Sequence, residues 1–388
     1  MVKKIFIIFY RLTVHKIPVG MFIKIFMEEN VRSYRYDCVV IGGGASGMMA
    51  AVTAAQNGAK TAIIEHTKRL GSKILSTGNG KCNFTNHKMD ATCFQNEDKD
   101  FVMNVINKFN EKEVIGFFRQ LGIYSKEKNG YVYPHSETAA SVCDALCMEI
   151  KRLGIEIFLE CNIESIYKKE DFLIDCYDNN ENRRVNTKSV ILAAGSNALP
   201  VSGSDGSGYA IAEKLGHRII KPLPALTGLR CRGNAFSAWA GVRTEGEVTL
   251  LLDGKPLCKE RGEIQLTDYG ISGIPVFQLS RYAVRALAEG KIAELSVNFF
   301  PEYTTEELTK LLDKRRELCP YQSAADLLVG LLPDKLIRAF RKQKDLIQTL
   351  TSYRLTVRES TGLEQAQVCS GGVDTTQVNT ETLESHIH

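Results

Sequence analysis

The stretch YDCVVIGGGASGMMAAVTAAQNGAKTAIIE, Tyr36 to Glu65, leaves this chain few folds to choose from. Asp37 to Ile41 is a short apolar run rich in Val and Ile, as suits a strand buried on both faces of a parallel sheet. Three glycines follow at once. Gly42 permits a tight turn, Gly44 lets a pyrophosphate approach the backbone, and Gly47 lets the next helix lie against the strand, giving G-x-G-x-x-G spacing. Ala45, Met48, Met49, Ala51, Val52 and Ala55 predict a closely packed helix. Its first N–H groups, around Ala45 and Ser46, and its positive dipole end face the place where phosphates would lie. Gly58 ends the helix and Thr61 to Ile64 predicts a second strand. Glu65 stands at that strand's end, 21 residues after Gly44, placed to accept hydrogen bonds from a ribose diol. A glycine-rich loop alone is weak evidence. Here strand, helix and acid all fall where a dinucleotide needs them, and the glutamate's charge disfavours a ribose 2′-phosphate.

The chain does not go straight on into another strand and helix. It enters LGSKILSTGNGKCNFTN, from Leu70, a passage able to wrap a ligand, which favours a flavin dinucleotide over NAD. Gly71, Gly78 and Gly80 allow close backbone approach, Lys73 and Lys81 are candidates to meet phosphate charge, and Cys82 and Asn83 complete the candidate binding loop. A second constellation lies at Ser189 to Leu192, a buried strand closed by Ala193, Ala194 and Gly195, with Gly195 153 residues after Gly42. Alone it reads as an ordinary strand with a glycine turn. Paired with the first motif, it reads as the second half of an FAD site. Gly203, Gly206 and Gly208 do not give G-x-G-x-x-G after a strand, so a separate nicotinamide domain is not visible. No catalytic acid or base stands out; Tyr133, His135 and Ser272 are loop candidates only. The stretch around Cys82 offers a single thiol, which argues against a dithiol relay.

Composition narrows the function classes. With 44% apolar and 24% charged residues, the chain suits a soluble globular protein. Its formal charge is +4, but residues 1–35 hold seven Lys and Arg against two Glu, so the remainder carries about −1 and offers no basic face for nucleic acid. Eleven cysteines without a C-x-x-C indicate neither a disulfide framework nor a metal site, and the reduced cytoplasm is the natural compartment. Residues 1–35 read as a poorly ordered basic leader, with contact to anionic lipid as the alternative. Its longest apolar run, Ile5 to Tyr10, is far too short for membrane insertion.

Several later stretches resemble, in order, the aminoacetone oxidase family of FAD-binding enzymes, the BaiN-like NAD(P)/FAD-dependent oxidoreductases. They are YVYPHSETAASV from Tyr131, VILAAGSNALPVSGSDGSGYAIAEKLGH from Val190, ERGEIQLTDYGISGIPVFQLS from Glu260, SAADLLVGLLPDKL from Ser323 and QAQVCSGGVDTTQVNTETLES from Gln365. The resemblance implies an α/β fold, in which an FAD-binding Rossmann-like two-dinucleotide-binding domain carries an inserted antiparallel β-barrel and a small helical cap. It implies FAD held in extended form, and electrons passed between a small organic substrate and a second acceptor or NAD(P)H. It makes Ile163 the main-chain adenine contact and places Gly371 and Gly372 near the flavin. An NAD-dependent dehydrogenase using only the first motif, and an inactive FAD-binding remnant, stand as the alternatives. In that family a further strand, turn and helix follow the segment matching Glu384 and Ser385. Only 16 residues follow Gly372 here, so the expectation is a truncated chain that retains FAD weakly.

The expected organisation is a leader over 1–35, the FAD-binding domain over 36–220, the barrel over 221–302, the cap over 303–352, and a return to the FAD-binding domain over 353–388. Within it, Asp100 to Leu121 predicts one helix, and Ser136 to Lys151 another with Ser136 as N-cap. Asp253-Gly254 predicts a hairpin turn, and Thr304 with Glu307 a capping box. Leu355 to Val357 is expected to return toward the sheet.

Overall fold

The computed structural model describes residues 31–94, 98–178, 181–233, 236–324, 326–341 and 343–387. Most of the expected leader therefore lies outside the described residues. In chain order the elements are β1 (Arg32–Ile41), α1 (Ala45–Gln56), β2 (Thr61–Ile64), β3 (Thr85–Asn86), α2 (Lys99–Lys108), α3 (Glu111–Gln120), β4 (Ser125–Lys128), β5 (Tyr131–Pro134), α4 (Ala139–Arg152), β6 (Glu156–Phe158), β7 (Asn162–Lys168), β8 (Phe172–Tyr177) and β9 (Asn182–Leu192). There follow α5 (Ser207–Lys214), β10 (Ile219–Ala225), β11 (Leu229–Cys231), β12 (Arg243–Leu252), β13 (Lys255–Thr267), β14 (Gly270–Gly273), α6 (Ile274–Ala288), β15 (Ala293–Asn298), α7 (Thr305–Leu318), α8 (Asp334–Phe340), α9 (Leu346–Thr351), β16 (Tyr353–Ser360) and β17 (Val368–Val373). They form two compact units. Among the described residues, one unit lies within Met1–Asn83, Phe118–Lys126 and Tyr133–Ala193, and the other within Phe84–Phe117, Glu127–Val132 and Ala194–His388.

The first unit is built on a six-stranded sheet of order β6-β2-β1-β9-β8-β7. Strands β6, β2, β1 and β9 run parallel, and β8 and β7 add on antiparallel. Val39, Val40, Ala62 and Ile63 are fully buried in the two central strands, as an apolar run without alternation requires. Helix α1 turns Met48, Ala51 and Val52 into the same core. Strand β1 starts earlier than the sequence suggests: Arg32 to Tyr36 pair with Arg183 to Thr187, so the end of the expected leader is part of the sheet. Strand β9 likewise begins at Asn182, seven residues before the Ser189 to Leu192 strand expected from the sequence.

Two local expectations shift. The helix expected over Asp100 to Leu121 divides into α2 and α3, because the Asn110 carboxamide accepts the Lys112 N–H at 2.9 Å and starts a new helix there. Helix α4 begins at Ala139 behind Thr138 rather than behind Ser136, whose hydroxyl instead meets that of Ser141 at 2.9 Å.

The second unit centres on a closed barrel of order β11-β14-β13-β12-β15-β16. Val248, Leu250, Ile264, Leu266, Ile271, Leu295, Val297, Leu355 and Val357 alternate inward to form its core, joined by Val276, Leu279 and Ala283 from α6. Asp253 and Gly254 link β12 and β13 with φ of 48° and 79°, the left-handed pair a two-residue hairpin turn needs. The stretch from Leu355 to Val357 does not return to the sheet. It lies in β16, which closes the barrel against β11 and β15, since its alternating apolar residues fit a stave with one buried face. Strand β17 pairs antiparallel with β10.

The capping box forms as expected: Glu307 N–H donates to the Thr304 hydroxyl at 3.2 Å, and Thr304 N–H donates to the Glu307 carboxylate at 2.8 Å. Leu308 and Leu312 of α7 and Leu336, Ile337 and Phe340 of α8 bury against the barrel core. Among the described residues, no helix is long and apolar enough to cross a membrane.

Candidate dinucleotide site

The glycines of the first motif do different jobs. At Gly47 a Cβ would lie 1.9 Å from the Gly42 carbonyl oxygen, so α1 sits against the turn at a distance only glycine allows. Gly42 itself takes φ of 102°. At Gly44 a Cβ would meet nothing within 4 Å, although its φ of −74° is ordinary, so space is held open directly in front of α1. Gly44 is the N-cap residue, no side chain caps the helix, and its first turn has no acid. Ala45 and Ser46 are exposed there. An uncapped helix end facing open space and lacking a carboxylate is suited to a phosphate.

Glu65 lies beside this space and is buried, only 7% exposed. Its Oε2 accepts the Gly43 N–H at 2.6 Å and its Oε1 accepts the Thr67 N–H at 2.8 Å, with His66 Nδ1 3.4 Å from Oε1. Gly43 and Thr67 were not candidates from sequence; the run of three glycines was the signal that the middle one also mattered. Each carboxylate oxygen keeps a lone pair for a ribose hydroxyl. The Cys161 N–H donates to the Glu65 carbonyl at 3.0 Å and Glu160 N–H to that of Thr67 at 3.0 Å. Half-buried Ile163 follows two residues later, at the start of β7. The unit thus brings Gly42, Gly44, Ala45, Ser46, Gly47, Glu65 and the approach to Ile163 to one end of its sheet.

The wrapping passage is a kinked 3-10 stretch, Ile74–Gly80, with Thr77, Gly78 and Asn79 out of helical geometry. Its glycines again divide. A Cβ at Gly71 would lie 2.5 Å from Cys143 Sγ, and one at Gly78 would lie 2.8 Å from the Asn83 N, so both serve packing. Gly80 faces open space. Lys73 is half-buried, Cys82 is buried and Asn83 exposed. Burial pushes the Cys82 thiol up, which suits a packed residue and not a nucleophile. Lys81 is exposed and paired within the protein: its ammonium lies 2.7 Å from the Glu137 carboxylate, which also takes Lys126 at 2.7 Å. Those two lysines hold the Glu137 carboxyl down at about 2. His135 and Ser136 line an open cleft of about 560 Å³ together with Gly122, Ile123, Tyr124 and Pro134.

The second unit brings its own candidates together. The Cys369 thiol donates to the Asn197 carboxamide at 3.0 Å, joining the segment after Ala194 and Gly195 to the strand bearing Gly371 and Gly372. Gly195 and Gly371 are exposed. Gly371 has φ of 108°, and a Cβ on it would lie 2.6 Å from the Lys221 carbonyl oxygen of β10; a Cβ on Gly372 would lie 3.4 Å from the Tyr209 ring. Ser272 is a buried residue of β14, and Cβ atoms on its neighbours Gly270 and Gly273 would meet backbone oxygen at 2.5 Å. That glycine pair is accounted for by barrel closure. Among the described residues, no group of three or more His, Cys, Asp or Glu is placed to hold a metal ion.

The open space at Gly44, the uncapped helix end and the carboxylate with spare lone pairs fit the adenosine diphosphate half of FAD. The profile of the HI0933-like protein Rossmann domain matches residues 36–388. A 3-dehydro-bile acid Δ4,6-reductase from Clostridium scindens is 39% identical over 366 residues, covering 89% of this chain and 88% of its own. A ribosomal RNA dihydrouridine synthase from Escherichia coli is 26% identical over 371 residues, covering 90% and 88%. The open form of a flavocytochrome c3 fumarate reductase is similar over 95% of this chain and 75% of its own, at 13% identity and a TM-score of 0.44, too loose a likeness to carry any functional argument.

Proposed function

The chain belongs to the HI0933-like Rossmann family as an FAD-dependent oxidoreductase, and from that premise we propose that it reduces a carbon–carbon double bond conjugated to a ketone in a steroid-like acid. The observation that carries this reading is the 39% identity to the Clostridium scindens reductase across almost the whole of both chains. The names of the bile-acid and dihydrouridine relatives share one chemical theme: each product has lost a C=C bond conjugated to a carbonyl. NAD(P)H is the proposed source of electrons, and the eleven unpaired thiols support a cytoplasmic location.

When bound, FAD would supply the electron pair. Gly44 would leave room for the pyrophosphate against the α1 N–H groups, and Glu65 would accept the ribose hydroxyls while Gly43 and Thr67 fix its carboxylate. Ile163 would meet adenine through its main chain. Lys73, Gly78, Gly80, Cys82 and Asn83 would wrap the cofactor, with Ala194, Gly195, Gly371 and Gly372 offering backbone toward the flavin.

The experiment is anaerobic turnover of purified, FAD-reconstituted protein with 3-oxochola-4,6-dienoic acid and NAD(P)H, following loss of the dienone absorbance. Flavin uptake with dienone loss supports the proposal. Flavin uptake with no dienone loss, and conversion of uridine in ribosomal RNA instead, would favour the second reading that the dihydrouridine relatives raise; the near-neutral body of the chain speaks against it. Binding of NAD with no flavin uptake would replace both with a dehydrogenase.

A further inference from the structure

One face of α6 changes character along its length. Ile274, at the start, is 68% exposed and Phe277 is half-buried, whereas Arg281 and Arg285 follow at one-turn spacing. From Ile274 to Arg285 the helix rises about 16 Å. Arg281 is the costly member. Its guanidinium lies 4.2 Å from the centre of the Tyr282 ring and its Nη2 donates to the Tyr282 hydroxyl at 2.6 Å, yet its Nε is buried with no hydrogen-bond partner. Among the described residues no carboxylate pairs with it. The groups acting on it are Tyr282, the Cys258 thiol and a second cation, Arg285, and burial lowers its pKa from the usual arginine value.

For Arg281, a half-buried cation with no carboxylate paired to it among the described residues, an arriving anion would offset the cost of burial. Arg285 places the pair in the molecule: its Nη2 donates to the Ser370 hydroxyl at 3.3 Å, one residue before Gly371 and Gly372. The apolar end of the same face begins directly after Ser272 and Gly273. A planar guanidinium matches a carboxylate in geometry as well as charge.

We propose that Arg281, supported by Arg285, is the seat for the anionic end of an elongated apolar substrate, whose hydrocarbon body lies along Ile274 and Phe277. This rests on the reading of the substrate as a steroid-like acid and adds which residues recognise the acid. The site is a charge-reading one: the same skeleton without its negative charge should bind less well.

The test compares 3-oxochol-4-en-24-oic acid with its methyl ester by calorimetric titration into the FAD-loaded protein. The acid should bind on the order of tenfold or more tightly than the ester, as expected for a hydrogen-bonded charge. Arg281→Met should bring the two within about threefold of each other, and Arg281→Lys should keep part of the preference. Because a half-buried cation with no carboxylate partner among the described residues is removed, Arg281→Met should also melt no lower than the wild type without ligand, so loss of preference cannot be ascribed to misfolding. Equal binding of acid and ester by the wild type, or an undiminished preference in Arg281→Met, overturns the seat alone. Binding of neither ligand by the wild type overturns the seat together with the steroid-like reading on which it rests.

Discussion

Alanine at Gly44 and at Gly47, three residues apart, should separate cofactor binding from folding. At Gly44 the backbone is ordinary and a methyl group meets nothing. Alanine there gains about 0.4–1 kcal/mol by restricting the unfolded chain, against a loss of similar size from a poorer N-cap. The stability of the cofactor-free protein should therefore stay within about 1 kcal/mol of wild type. The methyl group would nevertheless occupy the space left for pyrophosphate. Wild-type protein with FAD at a hundred times its dissociation constant gains about 2.7 kcal/mol, and Gly44→Ala should lose most of that. At Gly47 the added carbon would lie 1.9 Å from a main-chain oxygen, so strand and helix must separate. Overpacking of this kind costs about 1–3 kcal/mol before any ligand is added. Urea denaturation of both variants, with and without FAD, measures all four quantities. If Gly44→Ala destabilised the cofactor-free protein as much as Gly47→Ala, or kept the full FAD-linked gain, the assignment of open space to the pyrophosphate would be wrong.

Three further outcomes follow from the geometry. Glu65→Gln cannot accept from both Gly43 and Thr67, so it should destabilise the cofactor-free protein by about 1–3 kcal/mol and weaken FAD binding as well; an unchanged urea midpoint would argue that these bonds are dispensable. The Glu137 carboxyl, held at about 2 by Lys126 and Lys81 against an ordinary 4.5, contributes stability above its ordinary pKa and loses it as pH falls toward 2. The stability gap between wild type and Glu137→Gln should accordingly shrink from pH 7 to pH 3, and a gap independent of pH would count against the two ion pairs. Brief iodoacetamide treatment followed by mass spectrometry should label exposed Cys93 and also Cys147, whose pKa is lowered by the hydrogen bond from the Cys143 thiol, well before buried Cys231, pushed up to about 12. Early labelling of Cys231 would show that the barrel opens.

Short-range signals were legible in the sequence wherever one residue type had one job. The turn at Asp253-Gly254, the Thr304–Glu307 box and the strand, glycine turn and helix from Asp37 all required side chains or backbone angles that few other residues supply. Strand membership was harder to read. Leu355 to Val357 alternates like any half-buried strand, and nothing in three residues says whether the partner is a sheet or a barrel. The glycines of the wrapping passage look equivalent in the sequence, but Gly71 and Gly78 fill tight contacts and Gly80 does not. The ion pair of Lys81 was not legible because its partner, Glu137, is 56 residues away. In the sequence Arg281 and Arg285 are two charges on a helix; only burial, and the absence of a paired carboxylate among the described residues, set Arg281 apart.

The pairing of β1 with β9 has a consequence for the order in which this chain can acquire its shape. Val39 sits opposite Val190, and the strand between β1 and the outer hairpin is supplied by that late segment alone. At about 5–20 residues per second, the ribosome delivers β9 roughly 8 to 30 s after β1, and during that interval one edge of β1 has no neighbour. An apolar strand with an unpaired edge is a template for intermolecular pairing. Synthesis at low temperature or with a holding chaperone should therefore favour recovery, because the glycine turn cannot be locked in place until its second wall has been made.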